Sequence, residues 1–353
     1  MNTFSYNPKM IELARESRGF TQTELCEKMN VRQGTVSKLE NNELFLSDDY
    51  IEKISDILNY PKSFFLLKDE IYPPSLIYYR RKAKVPGRTQ KQFEAQMNII
   101  RIHIEKLLKR VEIPDANLID WDVEKHGQPE KAALFLREKW RLPKGKIENI
   151  TRLLEDNGII VIRFDFNTDK IDGLSLFTVK NQPIIYVNSQ LPSDKERLTL
   201  AHELGHLVLH FSKITEKDRD LEKEAFRFGS EFLVPEFDFR RSFAKLNLKT
   251  LANLKRFWKV SMSSLIVKAS NIGILTPNEE KYLWQQMAPY RLREPEELDF
   301  AKEQPSLVKE IIEVHKQDFE LSSIEIAEIL SLGVDDYYYY YEGNLRKPLQ
   351  IIR

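Results

Sequence analysis

The stretch Ala201-His202-Glu203-Leu204-Gly205-His206 sets two imidazoles four residues apart, with a carboxylate directly after the first. The apolar run Leu198, Leu200, Ala201, Leu204, Leu207 and Val208 has helical spacing. Ser193, followed three residues on by Glu196, reads as a capping box at the start of that helix. At about 100° per residue, His202 and His206 share one face, a turn apart, where they can bind one tetrahedral Zn²⁺. Glu203 is then placed to serve as a general base in hydrolysis.

A third protein ligand must come from elsewhere. A second helix is predicted from about Glu216 to Leu233, ended by Pro235, with Ala225, Phe228, Gly229 and Phe232 as its buried stripe. Glu224 borders the stripe and is the chosen ligand; Glu222 and Glu231 are the alternatives. Imidazole plus carboxylate suits Zn²⁺ best and leaves Mn²⁺ and Fe²⁺ open. His210, one turn beyond His206, is a candidate donor to a developing oxyanion.

The segment from Glu196 to Pro235 contains Leu-Thr-Leu-Ala-His-Glu-Leu-Gly-His-Leu-Val-Leu-His and then Glu-Lys-Glu-Ala-Phe-Arg-Phe-Gly-Ser-Glu-Phe-Leu-Val-Pro. It resembles the ImmA/IrrE family of zinc metallo-endopeptidases, and the resemblance extends over roughly residues 120 to 275. It implies that the Glu before the Ala of the second helix, Glu224, is the third ligand. It also implies that the substrate is a repressor or antitoxin-like protein. Phe226 stands where that family usually has Asn, and Gly229 where it usually has Ala.

Several elements must position these residues. Gln128-Pro129 opens a helix to about Trp140, and Ile147 to Asn157 forms another, closed by Gly158. Ile159 to Phe164 is a β-rich run, and Leu174 to Val179 with Pro183 to Asn188 reads as a hairpin. Ile184 to Val187 is the candidate edge for holding a substrate backbone by strand addition. Residues 249–274 read as two short helices turning at Val260-Ser261, similar to a second helix-turn-helix-like element of the same family. Beyond Thr276 the chain is charged and mostly helical, and Tyr337 to Tyr341 reads as a half-buried strand or helix end.

The N-terminal segment reads as five short helices: Pro8 to Ser17, Gln22 to Met29, Gln33 to Asn41, Asp48 to Leu58 and Pro61 to Leu67. Thr21 with Glu24 forms a capping box on the second. Two short helices joined by a tight turn suit a DNA major groove. The run from Phe20 to Asn41 resembles the Xre/phage-repressor helix-turn-helix family. The resemblance implies that Gln33, Thr35 and Lys38 face base edges and that Gln22 and Asn41 meet phosphate on double-stranded DNA. Residues 1–70 nevertheless carry nine basic and twelve acidic side chains, a net −3, so a protein-docking role for the same fold stays open. Residues 78–110 carry ten basic and two acidic side chains, a net +8. They read either as a nucleic-acid surface opening with Tyr78-Tyr79-Arg80-Arg81-Lys82 or as a solvated basic helix between domains.

The 353 residues are 42% hydrophobic with zero formal net charge, enough for two or three cored domains and without a global field toward nucleic acid or membrane. Cys26 is the single cysteine, so an intrachain disulfide is excluded, and it reads as a small core residue. With neither a signal-peptide pattern nor a long apolar run, a cytoplasmic protein is expected, with no membrane partner and with a homodimer open. The fold class is therefore multidomain and mainly α. An all-α helix-turn-helix domain (1–70) and a basic linker (71–115) precede a zincin-like α+β peptidase domain (116–275) and a helical tail (276–353). The expected function is a DNA-binding regulatory endopeptidase cutting one specific partner. The alternatives are a regulator or antitoxin whose peptidase-like domain is mainly a sensor, and an adaptor in a defence or toxin–antitoxin complex.

Overall fold

The computed structural model describes residues 6–72, 85–211, 219–290 and 294–343. Asn7 caps α1 (Pro8–Ser17), and the expected Thr21–Glu24 capping box opens α2 (Gln22–Met29). α3 (Thr35–Glu40) begins two residues later than expected because Gly34 sits at φ 86°, outside helical space. Ser47 caps α4 (Asp48–Leu58), and a 3₁₀ turn at Lys62–Leu66 follows. Met10, Leu25, Val36, Ile51, Ile54 and Phe65 form the interior of this unit.

α5 (Gly87–Leu107) is not the solvated connector that its charge suggested. Phe93, Met97, Ile100, Ile104 and Leu107 are buried, and so is Arg101. The Arg101 guanidinium bonds Glu105 at 2.8 Å and lies 4.0 Å over the Tyr72 ring, so its charge is paired inside the fold. At the other end, Arg88 donates to Glu24 at 3.0 Å and Lys91 to Glu16 at 2.9 Å, which docks α5 on the acidic side of α1 and α2. The run Tyr78 to Lys82 lies outside the described residues.

Three short helices follow: α6 (Val123–His126), α7 (Pro129–Lys139) and α8 (Ile150–Asp156). The strands β1 (Ile160–Phe164), β2 (Gly173–Phe177) and β3 (Pro183–Asn188) make a sheet of order β1-β3-β2. β3 pairs in parallel with β1, Ile160 opposite Ile184, and antiparallel with β2, Leu174 opposite Tyr186. Ile184 to Val187 is thus the central strand, buried on both faces, and cannot accept an added strand; β1 and β2 are the outer ones. The next helices are α9 (Ser193–Leu209), α10 (Leu221–Leu233), α11 (Glu236–Arg241), α12 (Leu248–Trp258) and α13 (Met262–Asn271). The chain continues through α14 (Pro277–Met287), α15 (Leu307–Gln317), α16 (Ser323–Leu330) and α17 (Val334–Tyr337), which runs into a π-helical turn at Tyr338–Glu342.

The sheet is a wall between two cores. Ile160, Leu174, Leu176, Ile184 and Tyr186 join a core shared with α5, the N-terminal helices and the tail helices. Val161, Ile185 and Val187 point the other way, into a core with α7 to α14. This follows from the period of two along a strand. The tail is tied to the front of the chain by an ion pair between Arg18 and Asp336, and by Tyr341, which shares a hydrogen bond of 2.8 Å with His103 Nδ1. Among the described residues no helix is long and apolar enough to cross a membrane.

Candidate metal centre

α9 is buried on nearly all sides, which suits a helix passing between a sheet and a second helix. Its first turn departs from the expected capping box. Pro192 is the cap residue, Ser193 Oγ donates instead to Phe300 O at 2.6 Å, and Glu196 pairs with Arg163 at 2.6 Å. Tertiary partners outside the helix outcompete the local cap. α10 begins at Leu221, later than expected, because the Asp220 side chain caps it through Lys223 N.

α9 and α10 touch backbone to backbone through two glycines. A Cβ on Gly205 would lie 3.0 Å from Ala225 O, and a Cβ on Gly229 would lie 2.9 Å from His202 N. Glu222, Ala225 and Gly229 form one i, i+3, i+7 row, so the row that allows this approach also aims Glu222 at α9.

His202 Nε2 and His206 Nε2 lie 3.0 Å apart. Glu222 brings Oε2 to 3.4 Å from the first and Oε1 to 3.3 Å from the second. Corners of a tetrahedron with bonds of ~2.0–2.1 Å are separated by about 3.3 Å, so this donor set has the spacing that Zn²⁺ requires.

Glu224, chosen from the sequence, is not in this group. At about 100° per residue it leaves α10 roughly 160° from Glu222. It meets His210 Nε2 at 3.0 Å and takes a two-pronged contact from Arg219 at 3.0 and 2.5 Å. Glu231 is also elsewhere, buried against Lys268 and accepting from Glu236 N at 2.9 Å. His210 is fully buried between His206 and Glu224, so it does not face a substrate as an oxyanion donor.

Glu203 is buried beside the pair, and Ser175 Oγ on β2 donates to its Oε2 at 2.9 Å. Burial pushes the Glu203 carboxyl up to about 7, with His206 and the Ser175 bond opposing. That value suits a group exchanging protons near neutrality. His202 and Glu203 open onto a cavity of about 870 Å³, whose walls include Asp172, Gly173, Thr199 and Phe226. Reading the sequence missed Ser175, although a serine between Leu174 and Leu176 in an apolar strand is a visible signal. Glu222, the alternative to Glu224 in the sequence, is the α10 carboxylate that lies against His202 and His206.

Residues 154–270 match the family model described as the IrrE N-terminal-like domain, and residues 11–65 match a helix-turn-helix model. The chain thus joins a helix-turn-helix domain of DNA-binding type to an IrrE-like, peptidase-type domain. Comparison with curated proteins returned no match. The IrrE-like match spans α9 and α10 and so contains all three converging donors. In the helix-turn-helix domain Gln33, Lys38 and Asn41 are exposed on or beside α3, and Thr35 is half-buried at its start. Gln22 donates to Glu40 at 2.6 Å, and Glu40 also holds Arg15 at 2.6 Å, so the Gln22 amide is engaged within the domain.

Proposed function

We propose that this chain is a DNA-binding regulatory zinc endopeptidase that cuts a specific repressor or antitoxin-like protein. The observation carrying the reading is the convergence of His202, His206 and Glu222 beside buried Glu203 at one end of a cavity, in a chain that also holds a helix-turn-helix domain. Zn²⁺, when bound by these three donors, supplies a Lewis acid that activates water and polarises a carbonyl.

The chain's own residues would do the rest. Glu203 takes a proton from the attacking water and delivers it to the leaving amine, so that H and OH add across the cleaved C–N bond. Ser175 fixes the Glu203 rotamer through Oε2. β2, whose start at Gly173 lines the cavity, is the strand suited to align an extended substrate by main-chain hydrogen bonds. Gln33, Thr35 and Lys38 would read bases, with Asn41 on phosphate.

One observation favours a second reading, a regulator whose IrrE-like domain senses more than it cuts. The sheet that carries Ser175 on one face shares its other face with the core of the DNA-binding unit, so the two ends of the molecule are mechanically joined. The first test is metal content of tag-free wild type and His202→Ala. One zinc per chain, lost in the variant, supports the peptidase reading; metal-free wild type sinks it. Co-expression with partner proteins then decides between the two, since operator binding without cleavage of any partner selects the sensor.

A further inference from the structure

The imidazoles of His202 and His206 on α9 and of His210 at its C-cap form a ladder, with ring centres 4.7 and 5.1 Å apart. Among the described residues, Glu222 groups with the first two. The third is continued by hydrogen bonds running away from the cavity. His206 Nδ1 lies 3.0 Å from His210 Nδ1, His210 Nε2 lies 3.0 Å from Glu224 Oε2, and Arg219 Nε lies 3.0 Å from Glu224 Oε1.

Proton positions along this chain are determined by its two ends. Arg219 only donates, and a carboxylate only accepts, so Glu224 must receive from both Arg219 and His210. His210 then carries its proton on Nε2 and presents the Nδ1 lone pair to His206. His206 answers with an Nδ1 proton, which turns its Nε2 lone pair toward His202 and Glu222. A metal ligand needs that tautomer, and a hydrogen bond on the other ring nitrogen is the usual means of fixing it.

We propose that His210 and Glu224 are positioning residues for His206: anchored by Arg219, they hold its ring angle and its Nε2-ligating tautomer. The proposal rests on the reading of His202, His206 and Glu222 as the metal ligands. It gives Glu224 a role outside the ligand set. The neighbouring helix supplies both carboxylates, one for the metal and one for the ladder.

The test is zinc affinity of the full chain by chelator competition, with Co²⁺ absorption spectra as a second readout. Each variant is first checked for an unchanged melting temperature after metal is stripped. His210→Phe and Glu224→Ala are expected to bind one zinc per chain at saturation, with affinity reduced about 10- to 100-fold. Glu224→Gln, which keeps an oxygen to accept from His210, should recover most of that loss. Should His210→Phe fail to fold, the two Glu224 variants carry the comparison. Wild-type affinity in His210→Phe or in Glu224→Ala overturns the proposal while leaving the metal reading intact. Loss of all zinc in Glu224→Ala with retention in Glu222→Ala makes Glu224 a ligand and overturns it as well. Absence of zinc from wild type removes the metal reading and the proposal together.

Discussion

Gly173 is the point where the sheet touches the active helix. A Cβ there would lie 2.6 Å from Thr199 Cγ2, 3.2 Å from Glu203 Cγ and 3.2 Å from Tyr186 O. Ordinary contacts begin near 3.4 Å, so Gly173→Ala forces Thr199 to move by most of an ångström and presses Glu203 as well. Overpacking of this kind costs ~1–3 kcal/mol. Relief of the glycine's backbone entropy returns about 0.5–1 kcal/mol. The difference of those two terms spans about 0–2.5 kcal/mol and centres on a net loss of about 1 kcal/mol. The worst contact is with one methyl group, and Thr199→Ser removes it. The double variant Gly173→Ala/Thr199→Ser should therefore recover a coupling energy of ~1 kcal/mol. Urea midpoints of the four proteins, at equal m-values, measure this directly. Cleavage should also fall in Gly173→Ala, since misplacing a catalytic group by about 1 Å can cost on the order of 10²-fold. An unchanged midpoint in Gly173→Ala refutes the reasoning. So does a double variant whose losses simply add, because the contact with Thr199 would then not be the source.

Three further outcomes follow from the same structure. Glu203→Gln should lower cleavage by about 10²- to 10⁴-fold while keeping one zinc per chain, since the amide still accepts from Ser175; a fully active variant removes Glu203 from the mechanism. Arg18 donates to Leu58 O and Asn59 O, lies 4.4 Å over the Tyr60 ring and pairs with Asp336, so Arg18→Ala should destabilise more than Asp336→Ala in urea titrations. The Asp336 variant loses only a partly exposed pair worth about 1 kcal/mol or less, and equal losses would contradict this ranking. Burial pushes the His103 imidazole down from its ordinary 6.5 to about 3. Between these values the unfolded chain binds a proton that the folded chain refuses, so His103 contributes a loss of stability as pH falls from 6.5 toward 3. His103→Gln should flatten that limb of the midpoint-against-pH curve, and parallel curves for the two proteins would show that His103 does not titrate on unfolding.

The sequence by itself determined the elements whose signals are local. Thr21 with Glu24, Pro8 and Pro129 marked helix ends that the fold keeps, because caps and proline act within one turn. His202, Glu203 and His206 were legible because i, i+4 spacing on one helix already implies proximity. Tertiary structure decided what depends on a second element. The Ser193 cap yielded to Phe300 and Arg163, residues distant in sequence. Whether Glu222 or Glu224 approaches His202 and His206 depends on which row of α10 meets Gly205, a contact between helices that composition does not encode. For α5, the nucleic-acid reading and the solvated-helix reading both came from charge counted along the chain, whereas Arg101 finds its partners at Glu70, Tyr72 and Glu105 in three dimensions. Strand order was equally hidden: β3 follows β2 in the chain, yet it sits between β1 and β2 because both of its faces are apolar and a central strand is where both faces are covered.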